Sequence, residues 1–151
     1  MVSANDVAAY ILRSAGPMSA MKMQKLAYYA QAWHLVWESA PLFDDRIEAW
    51  ANGPVILNLY RQHRGRFHLD AWTTGDADKL SPEEQETVDL VIGSYGRFSA
   101  QQLSELTHRE EPWISARHGL GPSVRSNHEI EPQAMQDYYS AVAANAEAQN
   151  V

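Results

Sequence analysis

Apolar residues recur along this chain at the spacing of a helix face, and short polar corners separate the runs. Val7, Tyr10 and Ile11 make the first face. Ser3 and Asp6 form a capping box ahead of it, Val2 can staple onto Val7, and Gly16-Pro17 stops the helix. A longer run follows from near Ser19 to just before Pro41. Met23, Leu26, Ala27, Ala30, Trp33, His34 and Trp37 keep the i, i+3, i+4, i+7 pattern there, which is that of an amphipathic helix. Gln24, Gln31 and Glu38 share another face, and Lys22 and Lys25 keep the first turns wet. Ala32, Leu35 and Val36 then make the second half apolar almost all round. The pattern predicts a central helix with Leu26, Ala30, Trp33 and Trp37 inside.

The same start signals repeat downstream. Ser81 with Glu84 and Ser99 with Gln102 are capping boxes, with Pro82 at a first helical position and Phe98 set to staple onto Leu103. "EPWISARHG" is a short helix candidate between Pro112 and Gly119. A last helix starts near Ile130, which can staple onto Met135, and its alanine-rich tail is expected to fray from about residue 143. "LFDDRIEAWANGPV" keeps no helical period, so it reads as extended or looped around residues 43–52, with room for a short strand. "HLDAWTTGDADK" reads as a loop. The expected architecture is mainly α: one compact domain over residues 1–151, a bundle of about six helices.

Composition narrows the function classes. A chain of 151 residues suffices for one core, and no apolar run reaches the roughly 20 residues of a membrane span. The N-terminus lacks a basic region ahead of its apolar run, so no secretory signal is expected. There is no cysteine, which excludes disulfides and thiolate chemistry and fits a cytoplasmic protein. The net charge of -7 argues against direct nucleic-acid binding by the surface as a whole. "YRQHRGRFH", with Arg61, Arg64, Arg66, His63 and His68, runs the other way; it could form a local basic patch, but reads as a solvated helix end entering a loop. The acidic stretch from Asp76 to Asp89 could steer a basic partner.

Tyr28 and Tyr29 point about 100° apart on a helix, so at least one is expected at the rim of the core. His34, on the apolar face, is expected as a hydrogen-bonded core histidine. No phosphate-binding loop, nucleophile elbow or H-E-x-x-H motif occurs. His108, Glu111 and His118 are the only metal candidates, without a marked third ligand or second shell, and no metal, cofactor or catalytic residue is expected. Two motifs stand out from filler. In "EAWANGPVILNLYR", Gly53 before Pro54 leaves the right-handed helical region, and Pro54 can open a helix carrying Val55, Leu59 and Tyr60. In "LTHREEPW", Thr107 and His108 end one helix and can bond free backbone groups, while Pro112 and Trp113 open the next. Both read as architectural corners, or as the loops of one shared groove.

"MQKLAYYAQAWHL", "PLFDDRIEAWANGPV" with "LYR", and "FSAQQLSELTHREEPW", in this order and over nearly the whole chain, resemble the Panacea domain of SocA-like antitoxins and phage-associated GepA proteins. The resemblance implies a helical antitoxin of a bacterial or prophage toxin–antitoxin pair, which neutralises a translation- or replication-blocking protein toxin by direct contact. One relative is instead an adaptor delivering its toxin to a ClpXP-type protease. "ANGPV" and "DDRIEAW" depart from the usual pattern in the loop expected to vary with partner, and no appended DNA-binding segment is visible. The partner-binding candidates are Tyr28, Tyr29, Asn52, Gly53, Tyr60, Arg61 and Arg64, since interfaces rely on a few Tyr, Trp and Arg anchors. Leu26, Trp33, Trp50, Pro54, Thr107, His108, Pro112 and Trp113 are expected to shape the scaffold. A small metal-dependent or nucleic-acid-processing enzyme built on His108 and His118 is the rival from another class.

Overall fold

A computed structural model describes residues 1–149. Helix α1 (Ala4–Ala15) leads through the two-residue strand β1 (Met18–Ser19) into α2 (Ala20–Glu38). A hairpin of β2 (Ile47–Trp50) and β3 (Gly53–Ile56) follows, then α3 (Leu57–His63), the short strand β4 (His68–Leu69) and a 3-10 turn (Ala77–Lys79). The chain closes with α4 (Pro82–Tyr95), α5 (Ala100–Thr107), α6 (Glu111–Ala116) and α7 (Pro132–Gln149). The fold is mainly α, as the patterning implies. α7 carries on through the alanine-rich stretch to Gln149, and the last two residues of the expected frayed tail lie outside the described residues.

The capping boxes at Ser3, Ser81 and Ser99 are all formed. Gly16 ends α1 with its N–H donating to the Leu12 carbonyl. α2 lies at the centre, packed against α1, α4, α5, α7 and β3. It is central for a reason that differs from its apolar stripe. Gln24, Lys25 and Gln31, read as solvated positions, are 2%, 1% and 2% exposed. The two glutamines act as surrogate strand partners. Gln24 donates to the Ile56 carbonyl and accepts from the Ile56 N–H. Gln31 accepts from the Leu42 and Phe43 N–H groups and donates to the Phe43 carbonyl. Each amide thus replaces the water its backbone partner would need.

Three more expectations need correction. Tyr28 and Tyr29 are both buried, so neither reaches the rim. Trp33 is only half-buried and Trp37 is 44% exposed, the two stacking with ring centroids 5.4 Å apart. The last turns of α2 run past the packed neighbours, so aromatic character there does not mean burial. Pro54 belongs to β3, and the helix begins three residues later at Leu57, as a seventh α-helix among the described residues. The ladder explains this. Pro54 stands opposite Ala49, whose N–H donates to His128 and whose carbonyl accepts from Arg117. The pair exchanges no bond, so the missing proline N–H costs the hairpin nothing.

Candidate functional site

The hairpin turn is held by side chains from behind. Arg117 donates to the Ala49 carbonyl at 2.9 Å and Trp113 to the Trp50 carbonyl at 2.8 Å. His108 Nε2 meets the Ala51 carbonyl at 2.7 Å, and Ser104 donates to the Asn52 carbonyl at 2.7 Å. Lys25 Nζ donates to the Pro54 carbonyl at 3.1 Å. The backbone oxygens on either side of the turn are therefore taken one by one by α2, α5, α6 and the residues around them. His108 also contacts the Ser104 carbonyl through Nδ1, which ties the end of α5 to the turn. The two sequence motifs are thus one device: "LTHREEPW" clamps "EAWANGPV". Gly53 has φ +116, and a Cβ there would lie 2.5 Å from Lys25 Cε and 3.0 Å from Thr107 Oγ1. Only glycine lets the turn close over the lysine.

In front of the clamp lies a cavity of about 920 Å³. The first turns of α2, the hairpin turn, the end of α3 with the loop after it, and residues 120–128 form its walls. Lys25 lies at the floor beside Gln24 and His63. Gln24 donates to His63 Nε2 at 3.0 Å, and burial lowers the imidazole pKa, with Arg66 and Lys25 adding repulsion. Burial alone pulls the Lys25 ammonium down to about 7. Arg64, Arg66 and Arg125 line the walls, and no Asp or Glu does. Trp50 and Tyr60 meet edge to face at 4.7 Å on one side.

Of the candidate contact residues, Asn52, Tyr60 and Arg64 share this cavity, and Gly53 roofs its lysine. Arg61 is exposed but not among the lining residues; it donates to Asn58. Tyr28 and Tyr29 belong to a separate buried cluster. There, Tyr29 and Tyr139 both donate to Glu110 Oε1, at 2.6 and 2.9 Å, and the Tyr28 hydroxyl lies 3.1 Å from that of Tyr139. Tyr95 stacks on Tyr29 at 4.1 Å and accepts from Trp33 Nε1. Burial raises the pKa of Glu110, against the lowering effect of its tyrosine bonds, and pushes Tyr95 up to about 12. Of the metal candidates, His108 spends both ring nitrogens on carbonyls, and His118 packs against His128. Asp76 caps the 3-10 turn, Asp78 pairs with Arg13 and Asp89 accepts from Tyr10, so the acidic stretch is partly engaged locally.

Sequence reasoning missed Lys25, Arg117 and Arg125, and placed His63 in a solvated helix end, whereas it is buried in the cavity. For Lys25 the signal was its i+1 adjacency to Gln24 on a helix too apolar to leave it wet; for Arg117 there was none. Among the described residues, no helix is long and apolar enough to cross a membrane.

Residues 23–114 match the family described as Antitoxin SocA-like, Panacea domain. The chain is 30% identical over 142 residues to Antitoxin SocA of Caulobacter vibrioides (strain NA1000 / CB15N), covering 82% of this chain and 74% of that protein. No solved structure matches. The matched span runs from α2 through the hairpin to Ile114 and takes in the clamp residues Lys25, Ser104, His108 and Trp113, and on that ground the chain belongs to the SocA-like, Panacea domain antitoxin family.

Proposed function

We propose that this protein is a cytoplasmic antitoxin that neutralises a cognate protein toxin by direct contact, presenting the hairpin turn and the adjoining face of α3. Family membership supports the antitoxin role. The observation that carries the contact mode is the clamp: five backbone carbonyls of the hairpin are held by side chains of other segments. A turn fixed in this way loses little further entropy on binding, so its contact energy goes into affinity. Asn52, Tyr60 and Arg64 stand on that face, with the anchor chemistry that dominates interfaces. The protein acts by occlusion and changes no covalent bond.

The test begins with the neighbouring reading frame. Expressing it alone should stop growth, and co-expressing this chain should restore it. A tight complex of the two proteins should form in a strain lacking ClpXP-type protease. Tyr60→Ala with Arg64→Glu should abolish rescue, whereas Trp37→Ala, about 18 Å along α2 from Lys25, should leave it intact. Loss of rescue in the protease-deleted strain would instead make the protein a delivery adaptor. Rescue that survives the Tyr60 and Arg64 changes would remove this face from the contact.

A further inference from the structure

Lys25 is 1% exposed and has one acceptor, the Pro54 carbonyl, for three N–H donors. No carboxylate lies within ion-pair distance of it among the described residues. His63 beside it feels repulsion from both Lys25 and Arg66. An ammonium buried without a counter-charge is costly, and a hydrophobic residue would fill the position at lower cost. Gly53, at positive φ, also leaves room for the lysine, since a Cβ there would lie 2.5 Å from its Cε. The position therefore points to an anion that arrives from outside.

The walls support this. Arg64, Arg66 and Arg125 line a cavity that has no Asp or Glu in its walls among the described residues, in a chain of net charge -7. The first turn of α2, the positive end of that helix's dipole, forms another wall. Phe67, on the same rim, is 86% exposed and leaves its ring free to stack. The volume, about 920 Å³, falls within the usual range of small-molecule sites. We infer that this cavity binds a nucleoside phosphate, with its phosphates on Lys25 and the three arginines and its base against Phe67. A lysine at the floor and three arginines in the walls call for a multiply charged group. The exposed ring beside them calls for a flat partner. An acidic peptide side chain brings one charge and no ring, and leaves most of the cations uncompensated. The inference concerns the cavity's own ligand and does not depend on the antitoxin reading.

Calorimetry and thermal-shift measurements on the full chain test it, using ATP, GTP, AMP, adenosine, inorganic pyrophosphate and a glutamate-rich peptide as probes. ATP or GTP should bind and raise Tm, and their affinity should fall with salt. Pyrophosphate should bind roughly tenfold more weakly for want of stacking, and adenosine should not bind. Lys25→Met should weaken nucleotide binding about tenfold or more while the ligand-free protein stays as heat-stable as wild type or becomes more so. A merely structural lysine would not show that split. Arg125→Gln, at an exposed position, should weaken binding without touching the fold, and keeps the test open if the Lys25 variant misfolds. Three results would overturn the inference: no nucleoside phosphate binding at millimolar concentration, equal binding by wild type and both variants, or Lys25-dependent binding of the peptide alone.

Discussion

Two regions of this molecule each bury an ionisable side chain beside α2, and they treat it in opposite ways. Around Glu110, which is partly buried, the environment supplies the side chain with partners. Two tyrosine hydroxyls donate to one carboxylate oxygen, and Tyr28, Tyr95 and Trp33 extend the network. Around Lys25 it is incomplete. One carbonyl meets the ammonium, no carboxylate pairs with it among the described residues, and a cavity opens in front of it. A satisfied polar cluster rigidifies a core. An unsatisfied one retains a cost that a bound partner or loss of the proton removes. The contrast separates the architectural tyrosine cluster from the cavity proposed to meet a ligand, although both carry aromatic residues.

The largest effect that would break the comparison is at Gly53. Gly53→Ala forces a side chain into positive φ and against Lys25, and should cost about 3 kcal/mol in urea unfolding. In a Lys25→Ala background the same change should cost about 1 kcal/mol less, because the flexible partner in the clash is gone. If the two costs match, the turn does not close over the lysine.

Next in size is Lys25 itself. Its folded pKa of about 7 lies below the usual lysine value. Stability from this group is therefore full above the unfolded pKa of about 10.4 and is lost as pH falls towards 7. Lys25→Met should be about 2 kcal/mol more stable than wild type at pH 7. That advantage should shrink steadily between about pH 7 and pH 10, as denaturant titrations at each pH would show. Glu110 should show the opposite sign. Its pKa is raised by burial, so its contribution is full below the ordinary carboxylate range and declines as pH rises through the raised value. Wild type should lose about 1 kcal/mol relative to Glu110→Gln as the pH climbs from about 4. Parallel profiles for the two sites would erase the distinction drawn between them.

Smaller changes sharpen it. Trp113→Phe keeps the ring over which the Arg117 guanidinium sits at 4.8 Å and removes only the bond to the Trp50 carbonyl. The expected loss is about 1 kcal/mol, together with faster amide exchange across residues 49–54. Trp37→Ala, which removes a half-exposed ring stacked on Trp33 at the edge of the tyrosine cluster, should cost only about 0.5 kcal/mol.

Much of the helical frame was legible because its signals are local. A capping box, a proline at a first turn or a glycine at a stop needs only residues within one turn to act, so α1, α4 and α5 followed from their own sequences. The hairpin was half legible: Gly53-Pro54 announced a sharp corner. Whether a strand or a helix came next depended on Gln24, 32 residues away, bonding Ile56 on both sides.

The candidate site was hidden for the same reason. On a helical wheel Lys25 and Gln31 look wet, and Trp33 and Trp37 look dry. The wheel gives the direction in which each side chain points, but not what stands there. The amino-acid order determined where helices begin and end and that α2 would be the spine. Tertiary packing decided which of its polar residues were drawn inside, by placing otherwise unpaired backbone groups against Gln24, Lys25 and Gln31. It also left Trp37 in solvent, since α2 outlasts the elements that cover it. Burial is a property of neighbours, and a buried charge becomes visible only once the chain has brought them together.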